Sequence, residues 1–271
     1  MRATLVALLI PAGLYAGLCL LMFVTQRSQM YFPVAESDVD GASAMRLETD
    51  GATLKIWAVQ RPGAAALVYF GGNAEDVGAS IDAFAERLPD HSLYFVNYRG
   101  YAGSTGEPSE GALVGDAVTL YDRLRSRHPR ISVLGRSLGS GVAVQLASVR
   151  EVERLVLVTP FDSLASVAQS HYPWLPVRVL MLDRYESASC APSIRAEALV
   201  VVAEADEVIP RARTDALIRA FKVRPRVLVL EGARHNDLDG DPAYLAEVVE
   251  FLAARPASAS QTEAAAVPTM T

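Results

Sequence analysis

Hydrophobic residues are spaced along the chain in a way that predicts short strands alternating with helices. Seven runs are rich in β-branched, leucine and aromatic residues, as β-strands are. They are Thr53–Val59, Ala66–Phe70, Ser92–Tyr98, Ile131–Leu134, Leu155–Val158, Leu199–Ala203 and Val227–Leu230. Runs such as Leu155–Val158 are apolar at every position, which is typical of strands covered on both faces in a parallel sheet.

Stretches with helical character separate these runs. They are Ala79–Leu88, Glu110–Arg127, Leu138–Ser148, Arg213–Phe221 and Pro242–Ala253. The alternation predicts a doubly wound α/β domain with a mostly parallel sheet and helices on both faces. We expect this domain to span residues 31–254, with a small covering insertion at about 161–195. Residues 255–271 are rich in Ala, Ser and Thr, and this composition predicts a disordered tail.

The N-terminus is apolar over a length that could cross a membrane. Ala3–Val24 is 22 residues without a charge, and a helix of that length reaches roughly 33 Å. The apolar part of a cleaved signal peptide is usually shorter, about 7–15 residues. We therefore expect residues 1–30 to be an uncleaved single-pass membrane anchor. A preceding Arg2 gives a weak charge bias toward a cytoplasmic N-terminus, with the α/β domain outside.

Composition excludes several classes of partner and cofactor. The net charge is −6 and no basic stripe occurs, which disfavours nucleic acid as a partner. Arginine predominates over lysine, a bias of GC-rich coding sequences that points to a bacterium. Together with the expected anchor, this predicts a bacterial inner membrane. The two cysteines, Cys19 and Cys190, are too isolated to predict a disulfide framework. No metal-ligand motif and no phosphate-binding glycine loop is present, so no metal and no other cofactor is expected.

The pentapeptide Gly135–Gly139 has the spacing Gly-x-Ser-x-Gly, between a predicted strand and a predicted helix. A serine hydroxyl becomes an effective nucleophile when a sharp turn exposes it and a neighbouring base takes its proton. Glycines two residues on either side allow such a turn to pack. The pattern predicts that Ser137 is a nucleophile.

A base for this serine must come from one of four histidines. His235 follows a late buried strand, so its loop could carry the imidazole over the sheet edge to the serine. His91 precedes a strand and His128 ends a helix, and we expect both to be solvated. His171 lies in the covering insertion and could contact substrate.

An acidic residue must orient the imidazole. Asp206 directly follows the strand Leu199–Ala203, which gives the chain order Ser, Asp, His. The adjacent Glu207 and the earlier Asp162 are alternatives.

The oxyanion that forms during acyl transfer needs hydrogen-bond donors. We expect them to be the backbone N–H of Leu138, behind the nucleophile, and that of Asn73, in a glycine-rich turn after an early strand.

Six short motifs, taken in order, resemble the membrane-anchored α/β-hydrolase-domain serine hydrolases. Over about residues 1–254 they are Gly72–Ala74, Asn97–Tyr101, Gly135–Gly141, Pro160–Ser163, Asp206–Pro210 and His235–Asp237. The resemblance implies an α/β-hydrolase fold and hydrolysis of esters or thioesters, often of acyl chains, by Ser137, Asp206 and His235. Two positions depart from the family. Gly71 replaces a histidine that usually braces the oxyanion loop, and Ala205 replaces a glycine-rich neighbourhood before the acid.

The sequence thus predicts a serine hydrolase that cleaves carboxylic ester or thioester bonds through an acyl-enzyme on Ser137. A serine peptidase is an alternative, because the same three residues support amide cleavage. A catalytically silent, membrane-associated scaffold is the other. The expected partners are the membrane and a small-molecule or lipid-like acyl substrate, which the apolar insertion around Trp174 and Leu175 favours. No oligomeric state is predicted.

Overall fold

One sheet of eight strands organises the computed structural model, which describes residues 2–37 and 39–254. The strands are β1 (Ser43–Thr49), β2 (Ala52–Val59), β3 (Ala65–Phe70), β4 (His91–Val96), β5 (Ile131–Arg136), β6 (Arg154–Val158), β7 (Glu197–Ala203) and β8 (Arg226–Leu230). They lie in the order β1-β2-β4-β3-β5-β6-β7-β8. β2 is antiparallel to both of its neighbours, and the remaining neighbours are parallel to one another. The predicted mostly parallel sheet is confirmed.

Helices cover both faces of this sheet. In chain order, the helices are α1 (Arg2–Met30), which projects from the sheet, α2 (Ile81–Arg87), α3 (Glu110–Arg125), α4 (Leu138–Val149), α5 (Leu164–His171), α6 (Val177–Leu180), α7 (Ser187–Cys190), α8 (Arg211–Ala220) and α9 (Pro242–Ala253). Local sequence sets several of their starts. The Ser109 hydroxyl accepts a hydrogen bond from the backbone N–H of Ala112 and begins α3, and the Asp241 carboxylate begins α9 in the same way.

Two apolar layers form the core because successive side chains of a strand point to opposite faces. On β3, Val68 and Phe70 belong to the layer that includes α3 and α4, whereas Leu67 and Tyr69 belong to the layer that includes α2 and α9. Strands that are buried on both sides explain the fully apolar runs in the sequence. The layers also fix the carboxyl ends of β3, β5, β6 and β7 at one edge of the sheet, where loops can converge.

The first strand was absent from the prediction. β1 pairs antiparallel with β2, from Ser43 opposite Ala58 to Thr49 opposite Ala52. Of its seven residues Leu47 alone is buried, so the hydrophobic pattern of an edge strand was too weak to detect. The helices α5, α6 and α7 were also missed, since none exceeds eight residues.

The prediction that His91 and His128 are solvated is wrong. His128 is buried, and its Nδ1–H donates to the Ala64 carbonyl at 2.8 Å while its Nε2 accepts from the Tyr94 hydroxyl at 2.8 Å. His91 is buried at the start of β4, and burial lowers the pKa of its imidazole. Both imidazoles are structural, because each lies within the fold.

The long N-terminal helix is apolar enough to cross a membrane. Its segment Leu9–Met30 has 22 residues and a mean hydropathy of 1.7, and none of that segment is buried in the fold. The helix begins near the predicted Ala3 but continues past Val24 to Met30. Both cysteines are free. Residues 255–271, predicted to be a disordered tail, lie outside the described residues.

Candidate active site

Ser137 occupies a strained turn between β5 and α4. Its backbone angles are φ 49° and ψ −114°, in a region that residues with a side chain rarely adopt. The backbone N–H of Ser137 donates to the Val158 carbonyl at 2.9 Å, so the neighbouring strand β6 helps to hold this conformation. The strain lifts the hydroxyl out of the sheet edge, as a nucleophile requires.

The two glycines of the motif are needed for close packing of backbone against backbone. A Cβ atom on Gly139 would lie 2.1 Å from the Phe70 carbonyl oxygen, and one on Gly135 would lie 2.3 Å from the Gly139 carbonyl oxygen. Real side chains do not approach backbone atoms this closely. The spacing Gly-x-Ser-x-Gly is thus a consequence of the turn lying directly against β3.

We expect Gly139→Ala to destabilise the fold by about 1–3 kcal/mol, because the added methyl group must push β3 and α4 apart. The measurement is the thermal unfolding midpoint of the full chain in detergent. Gly115→Ala in α3 is the matched control, since a Cβ there meets nothing within 4 Å and alanine favours a helix. Equal midpoints for Gly139→Ala and the wild-type chain would contradict this account of the motif.

The structure brings His235 between Ser137 and Asp206. The imidazole Nε2 lies 2.9 Å from Ser137 Oγ, and Nδ1 lies 2.8 and 3.0 Å from the two carboxylate oxygens of Asp206. Because a carboxylate only accepts hydrogen bonds, Nδ1 carries the proton and Nε2 is free to accept from the serine hydroxyl. This is the arrangement that a general base needs in order to deprotonate a serine.

The Asp206 carboxylate is held rigidly beyond the end of β7. One of its oxygens also accepts hydrogen bonds from the backbone N–H groups of Val208, at 2.9 Å, and Ile209, at 2.7 Å. The side chains of Asp206 and His235 are each only 7% exposed. The carboxylate therefore meets the imidazole in a fixed orientation and largely away from water, which strengthens their interaction.

Neither alternative acid contacts the imidazole. Glu207 accepts a hydrogen bond from the backbone N–H of His235 at 3.3 Å, and its side chain is 44% exposed. The Asp162 carboxylate accepts from the backbone N–H of Ser163 and pairs with Arg213 at 3.2 Å. Burial raises the pKa of Asp162. The structure thus separates Asp206 from two candidates that sequence position alone could not exclude.

The loop after β3 is braced by side chains that the sequence reasoning did not assign. The Tyr98 hydroxyl donates to the Gly71 carbonyl at 2.7 Å, and Glu75 accepts from the backbone N–H of Gly72 at 2.6 Å. These contacts hold the loop in place although Gly71 has no side chain of its own. Tyr98 lies in the motif Asn97–Tyr101, which contributes to the family resemblance but for which no structural role was predicted.

Asn73 ties the same loop to the end of α1. Its amide nitrogen donates to the Met30 carbonyl at 2.6 Å, while its amide oxygen accepts from the backbone N–H of Phe32 at 2.9 Å and from the Tyr101 hydroxyl at 2.8 Å. Burial raises the pKa of Tyr101 to about 12, so this hydroxyl keeps its proton for donation. The side chain of Asn73 thus joins the end of α1 and the segment after it to the candidate site.

A cavity of about 400 Å³ opens beside Ser137. Ser137, Leu138 and Asn73 are among its lining residues. The rest is mostly apolar and comes from α1 and the covering insertion, including Met22, Phe23, Leu164, Leu175 and Leu180. His171 is not among the lining residues, and its imidazole Nε2–H donates instead to the Val208 carbonyl at 2.8 Å. The arrangement suits an apolar ligand with a reactive group at Ser137.

Comparison with known proteins places the chain among the α/β-hydrolases. No protein-family model matches it. It is 35% identical over 249 residues to the uncharacterized protein Rv2307c of Mycobacterium tuberculosis, covering 85% of this chain and 89% of that protein. It is 30% identical over 193 residues to the α/β-hydrolase domain-containing protein aho-3 of Caenorhabditis elegans, covering 69% of this chain and 57% of that relative.

A solved structure agrees with this placement at the level of the fold. The esterase Pf2001 of Pyrococcus furiosus superposes with a TM-score of 0.68 over 82% of this chain and 97% of the esterase, at 16% sequence identity. The likeness is one of fold, a mostly parallel sheet with helices on both faces. The chain belongs to the α/β-hydrolase family, and the predicted family resemblance is confirmed.

Proposed function

We propose that this protein is a serine hydrolase that cleaves carboxylic ester or thioester bonds through an acyl-enzyme on Ser137. One observation carries the proposal. A continuous chain of hydrogen bonds, each of 3.0 Å or less, runs from Ser137 Oγ through His235 to the buried carboxylate of Asp206. Such a chain has the geometry needed to make an unreactive alcohol nucleophilic.

The reaction would proceed in two halves. His235 Nε2 takes the hydroxyl proton as Ser137 Oγ attacks the substrate carbonyl, and the imidazolium then protonates the leaving alcohol or thiol. Water next enters, gives a proton to the same nitrogen and attacks the acyl-enzyme, which releases the acid and restores Ser137. Asp206 stabilises the imidazolium in both halves without taking its proton.

Two backbone amides are placed to stabilise the oxyanion. Leu138 and Asn73 both line the cavity beside Ser137. Among the described residues, neither backbone N–H has a hydrogen-bond acceptor. Leu138 also begins α4, where the helix dipole favours negative charge. These properties support the assignment of both N–H groups to the oxyanion hole.

The lining of the cavity supports an acyl substrate. The residues around it are mostly aliphatic or aromatic and none of them is charged. Recognition of a peptide backbone would require convergent polar groups, and no observation favours the peptidase alternative. We propose a lipid-like acyl ester or thioester.

We also propose that α1 remains attached as a single-pass anchor of a bacterial inner membrane, with the hydrolase domain outside the cytoplasm. Met22 and Phe23 form part of the cavity, and Asn73 bonds to Met30 and Phe32. Removal of the helix by a signal peptidase would take away part of the candidate site. An immunoblot of membrane fractions checks this, because an uncleaved protein keeps its N-terminal tag.

A fluorophosphonate probe tests the proposed function, because it phosphonylates only activated serines. We expect the wild-type chain to be labelled on Ser137 and Ser137→Ala to lose the label. Ser148→Ala is the matched control, since this serine lies at the far end of the same helix and its hydroxyl donates to the Gln145 carbonyl. Labelling that persists in Ser137→Ala would refute the assignment. A folded wild-type chain without labelling or ester turnover would favour the scaffold.

The tether at Asn73 gives a second expectation. Asn73→Ala removes three hydrogen bonds that position the oxyanion loop, and a misplaced donor can lower kcat by up to about 100-fold. Turnover of p-nitrophenyl acetate measures the effect. Tyr101→Phe removes one of the three bonds and should lower kcat less. Wild-type kcat in Asn73→Ala would show that the loop does not depend on this tether.

A further inference from the structure

One face of α1 lies against the covering insertion over much of its length. Tyr15, Cys19, Met22 and Gln26 recur at spacings that share one side of a helix. At one end of this face the Tyr15 hydroxyl donates to the Trp174 carbonyl at 2.7 Å. At the other end the Gln26 side chain donates to the Leu180 carbonyl and accepts from the backbone N–H of Leu182. Helix and insertion therefore run side by side.

This contact places the tip of the insertion at membrane depth. Polar residues Gln26, Arg27 and Gln29 mark where α1 leaves the membrane. Tyr15 lies about 16 Å further along the helix axis, which is about half of a 30 Å hydrocarbon core. Since Trp174 is bonded to Tyr15, the tip of the insertion reaches into the leaflet next to the hydrolase domain.

The exposed surface of the insertion suits a lipid environment. Large apolar side chains on it are unusually exposed: Tyr172 by 48%, Trp174 by 56%, Val179 by 77% and Leu182 by 54%. A patch of this kind is uncommon on a protein surface that faces water. These exposed side chains lie on the segment that contacts α1. Their exposure indicates membrane contact independently of the hydrogen bonds to α1.

Two charged groups near α1 and the exposed apolar residues of the insertion are directed toward protein partners. Arg27 of α1 pairs with Asp183 at 2.9 Å, and Asp183 is largely buried. The exposed Arg178 reaches back to the Ser166 hydroxyl at 3.2 Å, as a long side chain does when it snorkels. Each of these two groups of the insertion, Asp183 and Arg178, thus has a polar protein partner.

The cavity beside Ser137 has walls from both of these membrane-facing elements. Met22 and Phe23 fall within the membrane-spanning segment, and Tyr172 and Leu175 belong to the insertion. Ser137 lines the same cavity, which therefore connects these two elements to the serine hydroxyl. The volume of about 400 Å³ lies near the lower end of the roughly 300–1,000 Å³ of ligand pockets, which favours one acyl chain.

We infer that the cavity opens into the lipid leaflet and that the substrate is a long-chain ester with one acyl chain drawn directly from that leaflet. The chain passes between α1 and the insertion, and its carbonyl stops at Ser137. The anchor is thus a wall of the acyl-binding site as well as a tether. This inference rests on the proposed function, because it assigns the substrate of the same site.

Tryptophan fluorescence tests the depth of the insertion. The chain has two tryptophans, Trp57 and Trp174, and Trp57 is buried. In Trp57→Phe, placed in phosphatidylcholine vesicles, we expect lipids brominated on their acyl chains to quench at least half of the Trp174 emission. Aqueous iodide should quench little. Strong quenching by iodide with none by brominated chains would overturn the inference.

The Trp174→Phe chain is the control, since its remaining Trp57 should resist both quenchers. If Trp57→Phe does not fold, the difference between the wild-type and Trp174→Phe chains gives the same measurement.

Chain-length preference tests the role of α1 in binding. Met22→Trp narrows the cavity, and each methylene that loses its place reduces kcat/KM by about fourfold. We expect the ratio of kcat/KM for a C14 ester to that for a C4 ester to fall at least about 15-fold, equivalent to two methylenes. Val24→Trp is the matched control, because Val24 is 70% exposed and is not among the lining residues.

Failure of this inference can be told from failure of the proposed function. An unchanged chain-length ratio in Met22→Trp, with esterase activity and probe labelling that still depend on Ser137, overturns the lipid-facing site alone. Labelling that does not depend on Ser137 overturns both.

Discussion

His235→Ala should lower kcat for hydrolysis of p-nitrophenyl butyrate by about 10⁴- to 10⁶-fold, and Ser137→Ala should do the same. Within residues 2–37 and 39–254, the imidazole Nε2 is the one base in contact with Ser137 Oγ, at 2.9 Å. Since each residue needs the other, the double variant should be no slower than either single variant. Steady-state kinetics of the purified full chain in detergent measure all three.

The control for this series is His171→Ala. His171 lies in the covering insertion, outside the cavity lining, and bonds to the Val208 carbonyl. We expect its kcat to stay within about threefold of the wild-type value, as for a surface substitution away from the chemistry. A loss of less than tenfold in His235→Ala, with the thermal midpoint unchanged, would remove His235 from the proposed mechanism.

The sheet was predictable because its signal is local. β5, β6 and β7 are buried at nearly every position, so their sequences are mostly apolar. β1 gave no such signal, because one residue of the strand is buried and its pairing with β2 supplies the rest of its stability. Edge strands depend on partners that hydrophobic periodicity does not record.

The covering insertion was unpredictable in detail for a related reason. Its helices are short, and contacts with residues far away in the sequence fix their positions. Arg27 pairs with Asp183, and the Tyr31 hydroxyl lies 3.0 Å from that of Tyr185. Burial raises the pKa of both tyrosines well above the usual range, so they remain neutral hydrogen-bonding groups. These partners are far apart in the sequence, so hydrophobic patterns within a short segment do not reveal them.

Parts of the candidate site were likewise predictable from local sequence, whereas other parts depend on contacts between distant residues. The Ser137 turn was predictable because close packing of backbone atoms requires glycine at positions 135 and 139. Both glycines lie within two residues of the serine. The choice among Asp206, Asp162 and Glu207 depends on how the loops fold, because only the fold determines which carboxylate contacts the imidazole. The tether from Asn73 to Met30 and Phe32 had no signal at all, since backbone groups accept and donate whatever their side chains are. The catalytic roles of these residues stay predictions.

Asp206→Asn should lower kcat by about 10⁴-fold while leaving the fold intact. The amide is nearly isosteric, but it cannot offset the positive charge that the imidazole gains when it takes the serine proton. It would also present an N–H group to Nδ1, which favours the tautomer with its proton on Nε2, and this nitrogen could then no longer accept from Ser137. Ester turnover at constant thermal midpoint measures the effect.

Glu207→Gln provides the closest control, because it makes the same chemical change one residue along the chain. Glu207 contacts the backbone N–H of His235 rather than its ring, so we expect a change of kcat within about threefold. Asp162→Asn should likewise spare kcat, because that carboxylate pairs with Arg213. Equal losses in Asp206→Asn and Glu207→Gln would mean that bulk negative charge near His235 matters more than the oriented contact. In that case the hydrogen bonds at 2.8 and 3.0 Å would lose their proposed role.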